Sequence, residues 1–211
     1  MKDNIKWVLL IPGIIVIIGL AYLVPKLVGV GSGNTPTQPV NPGVQQQIND
    51  AQNRINTYSA QVKTNPGDVA SVKNLGEAYL DLAQSQEQNN QTVNDANRNF
   101  KNAIDQFRKY LAANSGDVDV TIDLGFAYSQ LGMSEVALRE LQAAAAQAPN
   151  NQRAWLNIGY IYLQTGRTDQ CKAPLQKAVN LNPNSDEGKE AKQFLDQANS
   201  GANAGLTPIS P

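Results

Sequence analysis

The chain has no histidine and a single cysteine, Cys171, among its 211 residues. Without histidine there is no Ser/His or Cys/His nucleophile arrangement, and one cysteine makes neither an internal disulfide nor a zinc cluster. No GxxxxGKS/T or GxGxxG stretch offers a phosphate cradle. Charge is sparse and balanced, 17 basic against 18 acidic residues. The basic residues stand singly, without the patch that binding to a phosphate backbone needs. Strand signals are nearly absent as well. The expectations are therefore no enzyme activity, no cofactor, no metal and no nucleic-acid partner.

What is present begins with WVLLIPGIIVIIGLAYLV, Trp7–Val24, 18 residues without a charge. As a helix at about 1.5 Å per residue it would reach roughly 27 Å, enough to span a bilayer core. Trp7 and Tyr22 stand where interfacial aromatics belong. A cleaved signal peptide is the rival reading, but its apolar region is shorter and ends in small residues, whereas this run meets Pro25 and Lys26. Residues 1–28 are read as a retained transmembrane anchor that contacts the lipid bilayer through residues 7–24. Lys2 and Lys6 precede the span and only Lys26 closely follows it. Flanking charge thus places the amino terminus in the cytoplasm and the bulk of the chain outside it, in the periplasm or at the cell surface. Abundant Asn and Gln agree with a solvated, extracytoplasmic protein. Residues 29–43, rich in Gly, Pro and Thr, read as a linker, and 200–211 as a disordered tail.

Between these segments the periodicity is helical, and it repeats. Leu124, Gly125 and Tyr128 recur 34 residues later as Ile158, Gly159 and Tyr162; Gly132, Leu141, Ala144 and Pro149 recur as Gly166, Leu175, Ala178 and Pro183. This pattern resembles the tetratricopeptide repeat, a 34-residue unit of two antiparallel helices, and Trp155 supplies the family tryptophan. The implied fold is all-α, a right-handed solenoid of antiparallel helix pairs over residues 44–199, preceded by one transmembrane helix. Full units span 117–150 and 151–184. Asp68, Asp117 and Asn151 precede the first helices as caps. In the unit over 68–115, Gly76, Tyr79, Ala103 and Phe107 match the pattern, but Gly76 and Gly125 stand 49 residues apart, 15 more than the period. The excess between Leu82 and Phe100 is expected to lengthen both helices by about two turns, seven residues being close to two turns at about 3.6 per turn. A polar loop is the alternative. Residues 44–65 form an amphipathic helix, and 185–199 a cap with Ala191, Phe194, Leu195 and Ala198 on one face and charges on the other. Asn90 opens a glycosylation triplet.

The repeat register puts Cys171 with Ala137 and Ala103, where the two helices of a unit cross. A small hydrophobe is needed there, so packing is the expected role, with no reactivity. Packing roles fall equally to Gly76, Tyr79, Phe107, Gly125, Tyr128, Pro149, Trp155, Gly159, Tyr162 and Pro183. The resemblance implies a concave face lined by first helices. Its family positions map to Lys73, Glu77 and Leu80; to Asp119, Ile122, Phe126 and Gln130; and to Arg153, Leu156, Asn157, Tyr160 and Gln164. The carboxylate clamp of chaperone-binding members is incomplete, because Glu77 replaces the expected Asn and Asp119 and Asp123 oppose an anion. Recognition of an acidic carboxy terminus is not expected.

These features predict a membrane-anchored protein-protein interaction module, a scaffold or accessory subunit of a multi-subunit envelope complex. A head-to-tail filament, with the chain as its own partner, is an alternative that the low surface charge permits. A secreted binding protein released after cleavage near Gly31 is another.

Overall fold

A computed structural model describes residues 41–88 and 93–200, and these form eight helices without a strand. They are α1 (Pro42–Thr64), α2 (Val69–Gln88), α3 (Val93–Ala113), α4 (Val118–Gln130), α5 (Ser134–Gln147), α6 (Gln152–Gln164), α7 (Thr168–Leu181) and α8 (Asp186–Asn199). The expected span over residues 7–24, the linker up to residue 40, the Asn90 triplet and the tail beyond Ser200 lie outside the described residues. No helix among the described residues is long and apolar enough to cross a membrane.

Local sequence sets the helix ends. Asn41 caps α1, its side chain accepting from the Gly43 N–H at 3.0 Å, with Pro42 in the first turn where its missing N–H costs nothing. The helix therefore starts two residues before the periodicity places it, and Pro42 and Gly43 leave the linker. Asp117 and Asn151 cap α4 and α6, accepting from the Val120 and Ala154 N–H groups at 3.1 and 3.3 Å. Asp68 receives the Ser71 N–H in the same way. Both α4 and α6 end through a glycine at φ 73°, Gly132 and Gly166. Their left-handed backbone returns the Met133 and Arg167 N–H groups to the carbonyls of Tyr128 and Tyr162. A side chain at either glycine would strain that closure.

Consecutive helices pair antiparallel. Gln61 and Arg54 of α1 meet Ser71 and Asp81 of α2, so one helix runs up as the other runs down. Along α2 and α3, Gly76 abuts Phe107 while Gln86 bonds Asn99. Gly76, Gly125 and Gly159 are the close-approach sites. A Cβ there would lie 2.6 Å from Phe107, 2.7 Å from Leu141 and 2.5 Å from Leu175. Ala103, Ala137 and Cys171 are fully buried beside them, and Tyr79, Tyr128, Trp155 and Tyr162 pack at the margins of the cores. Pro149 and Pro183 do not pack. Both are exposed just past α5 and α7, where a residue without an N–H stops the helix, and the Pro149 carbonyl accepts the Trp155 indole N–H at 2.9 Å.

Of the fifteen extra residues of the first repeat, seven lengthen α2 and seven lengthen α3, and residues 89–92 between them lie outside the described residues. α2 has 20 residues and α3 has 21, where α4 and α6 have 13 and α5 and α7 have 14. Their added turns bury Ala83, Ala96 and Phe100, none of which shows surface. Among the described residues α2 touches α4, α4 touches α6 and α6 touches α8, whereas α1, α3, α5 and α7 touch only their sequence neighbours. The even-numbered helices are thus the inner layer.

Candidate partner-binding face

The inner layer carries the positions that the repeat register nominates, but three of them do not reach solvent. Leu80, Ile122 and Leu156 are 6%, 0% and 3% exposed and belong to the cores between helices, so they line no groove. On an inner helix wedged between two neighbours the buried arc is wide and takes in positions one turn from the groove. Glu77, Phe126, Gln130, Asn157, Tyr160 and Gln164 are half-buried, and Asp119 is exposed.

The basic residues of this face are already engaged. Lys73 donates to Asp117 at 3.0 Å, Tyr110 donates to the same carboxylate oxygen at 2.9 Å, and the ammonium lies 5.5 Å from the Tyr110 ring centre. Burial alone would push the Asp117 carboxyl up. The Val120 N–H, Lys73 and Tyr110 together hold it below the ordinary carboxylate value, and its hydrogen bond holds the Lys73 ammonium above its own. Arg153 pairs with Asp123 and approaches Asp119 within 4.0 Å. Arg54 of α1 pairs with Asp81 at 2.5 Å. No cation among these three is free to meet a carboxylate of a partner. The two clamp-like bases, Lys73 and Arg153, serve instead to join one repeat to the next.

Burial weighs on several acids of this face, paired or not. Burial raises the Glu77 carboxyl, and that of Asp123 despite Arg153. Larger shifts fall on two residues that the sequence did not nominate. Burial pushes Glu87, in the last turn of α2, up to about 7; burial and then the charge of Glu187 push Glu190 of α8 up to about 7 as well. Neither has a hydrogen bond or an ion pair among the described residues. Glu190 is 8% exposed, which corrects its assignment to the solvated face of the cap. Both charges act on Tyr160, whose hydroxyl burial above all raises to about 12. The Tyr160 ring leans on Phe194 with centroids 5.3 Å apart, and Phe126, its equivalent one repeat earlier, meets the edge of Phe100 at 6.4 Å. The lengthened helix carries Glu87 within electrostatic reach of Tyr160, without close approach of the α2 and α6 backbones. Only the three-dimensional reach of that extra length could reveal the neighbourhood.

Cys171 is fully buried, its thiol donates to the Thr168 carbonyl at 3.0 Å, and burial raises its pKa. A thiol kept protonated in an apolar core is a packing group. Cys171→Ala is expected to cost about 1 kcal/mol of stability, the range of a single-atom core truncation. The melting temperature should move by only a few degrees, with retention of bound partner unchanged. Among the described residues no group of His, Cys, Asp and Glu is arranged to hold a metal ion.

Paired antiparallel helices with an inner face of first helices define an α-helical solenoid. Residues 132–193 match the family model described as Tetratricopeptide repeat. A comparison with curated proteins finds no match. Among solved structures, two of the protein MamA are similar. One has a TM-score of 0.54 at 18% identity over 76% of this chain and 93% of that one, the other 0.55 at 20% over 76% and 84%. The Sgt2 tetratricopeptide domain from Aspergillus fumigatus follows at 0.51 and 20%, over 69% of this chain and 87% of that one. The first tetratricopeptide domain of Spaghetti (RPAP3), bound to the HSP90 peptide SRMEEVD, stands at 0.51 and 19%, over 64% and 92%. At these identities the likeness establishes the fold.

Proposed function

We propose that this chain is a protein-protein interaction module that seats a partner segment on its inner face. Residues 7–24 tether it to a membrane, with the helical body outside the cytoplasm, as a scaffold or accessory subunit of a multi-subunit envelope complex. The observation that carries the binding reading is an inner face with half-buried aromatics and carboxylates left without partners. Such desolvated, unsatisfied groups cost stability and are kept where a partner satisfies them. The tether reading is supported by the uncharged run from Trp7 to Val24.

The site differs from the Spaghetti domain in what it has to offer. That domain holds a peptide bearing two glutamates and an aspartate. Here Lys73 and Arg153 are spent on Asp117, Asp123 and Asp119, so an acidic ligand would meet acids.

Cross-linking in native membranes, followed by purification in mild detergent, should yield a stoichiometric partner, and Phe126→Ala with Tyr160→Ala should release it. Purification of the protein alone, with cross-links to no second chain, counts against the proposal. Fused after Pro211, a reporter that works only when exported should be active, and activity of one that works only in the cytoplasm would overturn the topology.

A further inference from the structure

Tyr160 of α6 and Phe194 of α8 meet on the inner face, with Glu190 one turn from Phe194, while Glu87 of α2 acts on the same phenol from a helix whose backbone approaches neither α6 nor α8 closely. Glu190 and Phe194 are one turn apart on α8, so they share a face. The Phe194 ring packs on Tyr160 of α6, and the last turn of the lengthened α2 brings Glu87 within electrostatic reach of the same phenol. Two carboxylates thus lie within electrostatic reach of the Tyr160 phenol. Glu190 is 8% exposed and has no hydrogen bond or ion pair among the described residues. The only sealed side-chain atoms without a partner among the described residues are Gln106 Oε1 and Arg167 Nη2. The oxygens of both glutamates therefore keep an opening from which a donor can approach.

A buried, unpaired carboxylate is an expensive arrangement, and at Glu190 the charge of Glu187 adds repulsion. A cation entering from outside relieves both. The rings suit the aliphatic stem of a lysine or arginine, and their faces attract its charged head. Neither an anion nor a purely apolar segment would answer the two acids.

We propose that this end of the inner face is a binding site for a basic peptide segment, which places a lysine or arginine beside Tyr160 and Phe194 and against Glu190, within reach of the charge of Glu87. The inference rests on the partner-binding reading above and gives its ligand a chemical class.

The test uses the full chain in mild detergent as bait for displayed random 12-residue peptides at pH 8. Affinities are then read by fluorescence anisotropy of labelled winners. Winners should carry lysine or arginine at a fixed position next to apolar residues. Replacing that residue by acetyl-lysine or citrulline should weaken binding at least about 10-fold, as should Glu87→Gln with Glu190→Gln, the scale expected for one lost charge pair at a desolvated interface. Helicity and melting of the double variant, measured alongside, separate lost binding from lost folding. Winners without a basic residue, or with unchanged affinity for the double variant, overturn the basic-ligand proposal. If such winners still lose affinity to Phe126→Ala, the inner face remains the docking surface. If Phe126→Ala leaves affinity intact as well, the docking reading falls too. A selection that returns no specific binder also overturns the proposal.

Discussion

Gly188→Ala is expected to detach the carboxy-terminal helix. Gly188 lies in the first turn of α8, its N–H donating to Ser185 Oγ at 3.0 Å. A Cβ there would sit 1.9 Å from the Asn182 carbonyl oxygen and 2.9 Å from its carbon. That oxygen belongs to backbone and already accepts Gln152 Nε2 at 2.8 Å, so it has no room to move aside. Gln152 also accepts the Ser185 hydroxyl at 2.8 Å, which makes it the clasp that holds α6, the end of α7 and α8 together. Overpacking a rigid contact usually costs about 1 to 3 kcal/mol, and this clash against backbone belongs at the upper end. At about 2 to 4 °C per kcal/mol the melting temperature should fall by roughly 6 °C or more. The loss should be local first, because a solenoid end contacts only its neighbours. Cys171 packs with Ala191 and Ala198 of α8, which makes it a built-in reporter. Its reaction with a thiol reagent should accelerate about 100-fold, since each 1.4 kcal/mol of opening is a factor of ten. A variant with unchanged thiol reactivity and melting would show that the contact at Gly188 yields.

The second large effect is a gain. Glu87→Gln with Glu190→Gln should stabilise the protein at pH 8, and should flatten its stability between pH 5 and pH 8. Each carboxyl titrates near 4.5 when unfolded and near 7 in the fold, where burial disfavours the charge. Between those values folding takes up protons, so stability falls as pH rises through the window and stays low above it. At pH 8 the full penalty is present; toward pH 5 it is largely relieved. After allowance for the solvent that still reaches both groups, about 1 to 2 kcal/mol apiece is a fair scale, less than the shift alone would give. The double variant should therefore melt about 5 °C or more higher than the parent at pH 8, and nearly together with it at pH 5. Equal melting of both proteins at pH 8 would mean that the carboxylates are hydrated in the fold. Basic peptide should stabilise the parent and not the variant, the usual exchange of stability for function.

Much of the body was legible because it depends on short-range rules. The 34-residue echo of Gly125 in Gly159, and of Ala137 in Cys171, locates the close crossings, since helices approach closely only where side chains are small. Asp117 and Asn151 mark helix starts for a local reason too. The candidate face was less legible. Leu80, Ile122 and Leu156 keep the register of the groove yet lie within the core, because burial on an inner helix depends on both neighbours. Glu190 breaks the rule that a charged residue on a cap helix faces water, because α8 packs on both α6 and α7, an arrangement that periodicity does not encode. Glu87 lies in the part of the first repeat that matches no repeat position, so the register had nothing to say about it.

By itself the sequence determined that the chain between residues 44 and 199 is helical, paired and repeating, and that it has no histidine. Those properties follow from spacing along one helix and from the size of one residue. Only the tertiary structure decided which charges are neutralised within the fold and which remain open. Lys73 and Arg153 find carboxylates in the adjacent repeat, while Glu87 and Glu190 find none. That outcome depends on where helices of unequal length end relative to one another in space, and no local pattern carries that information.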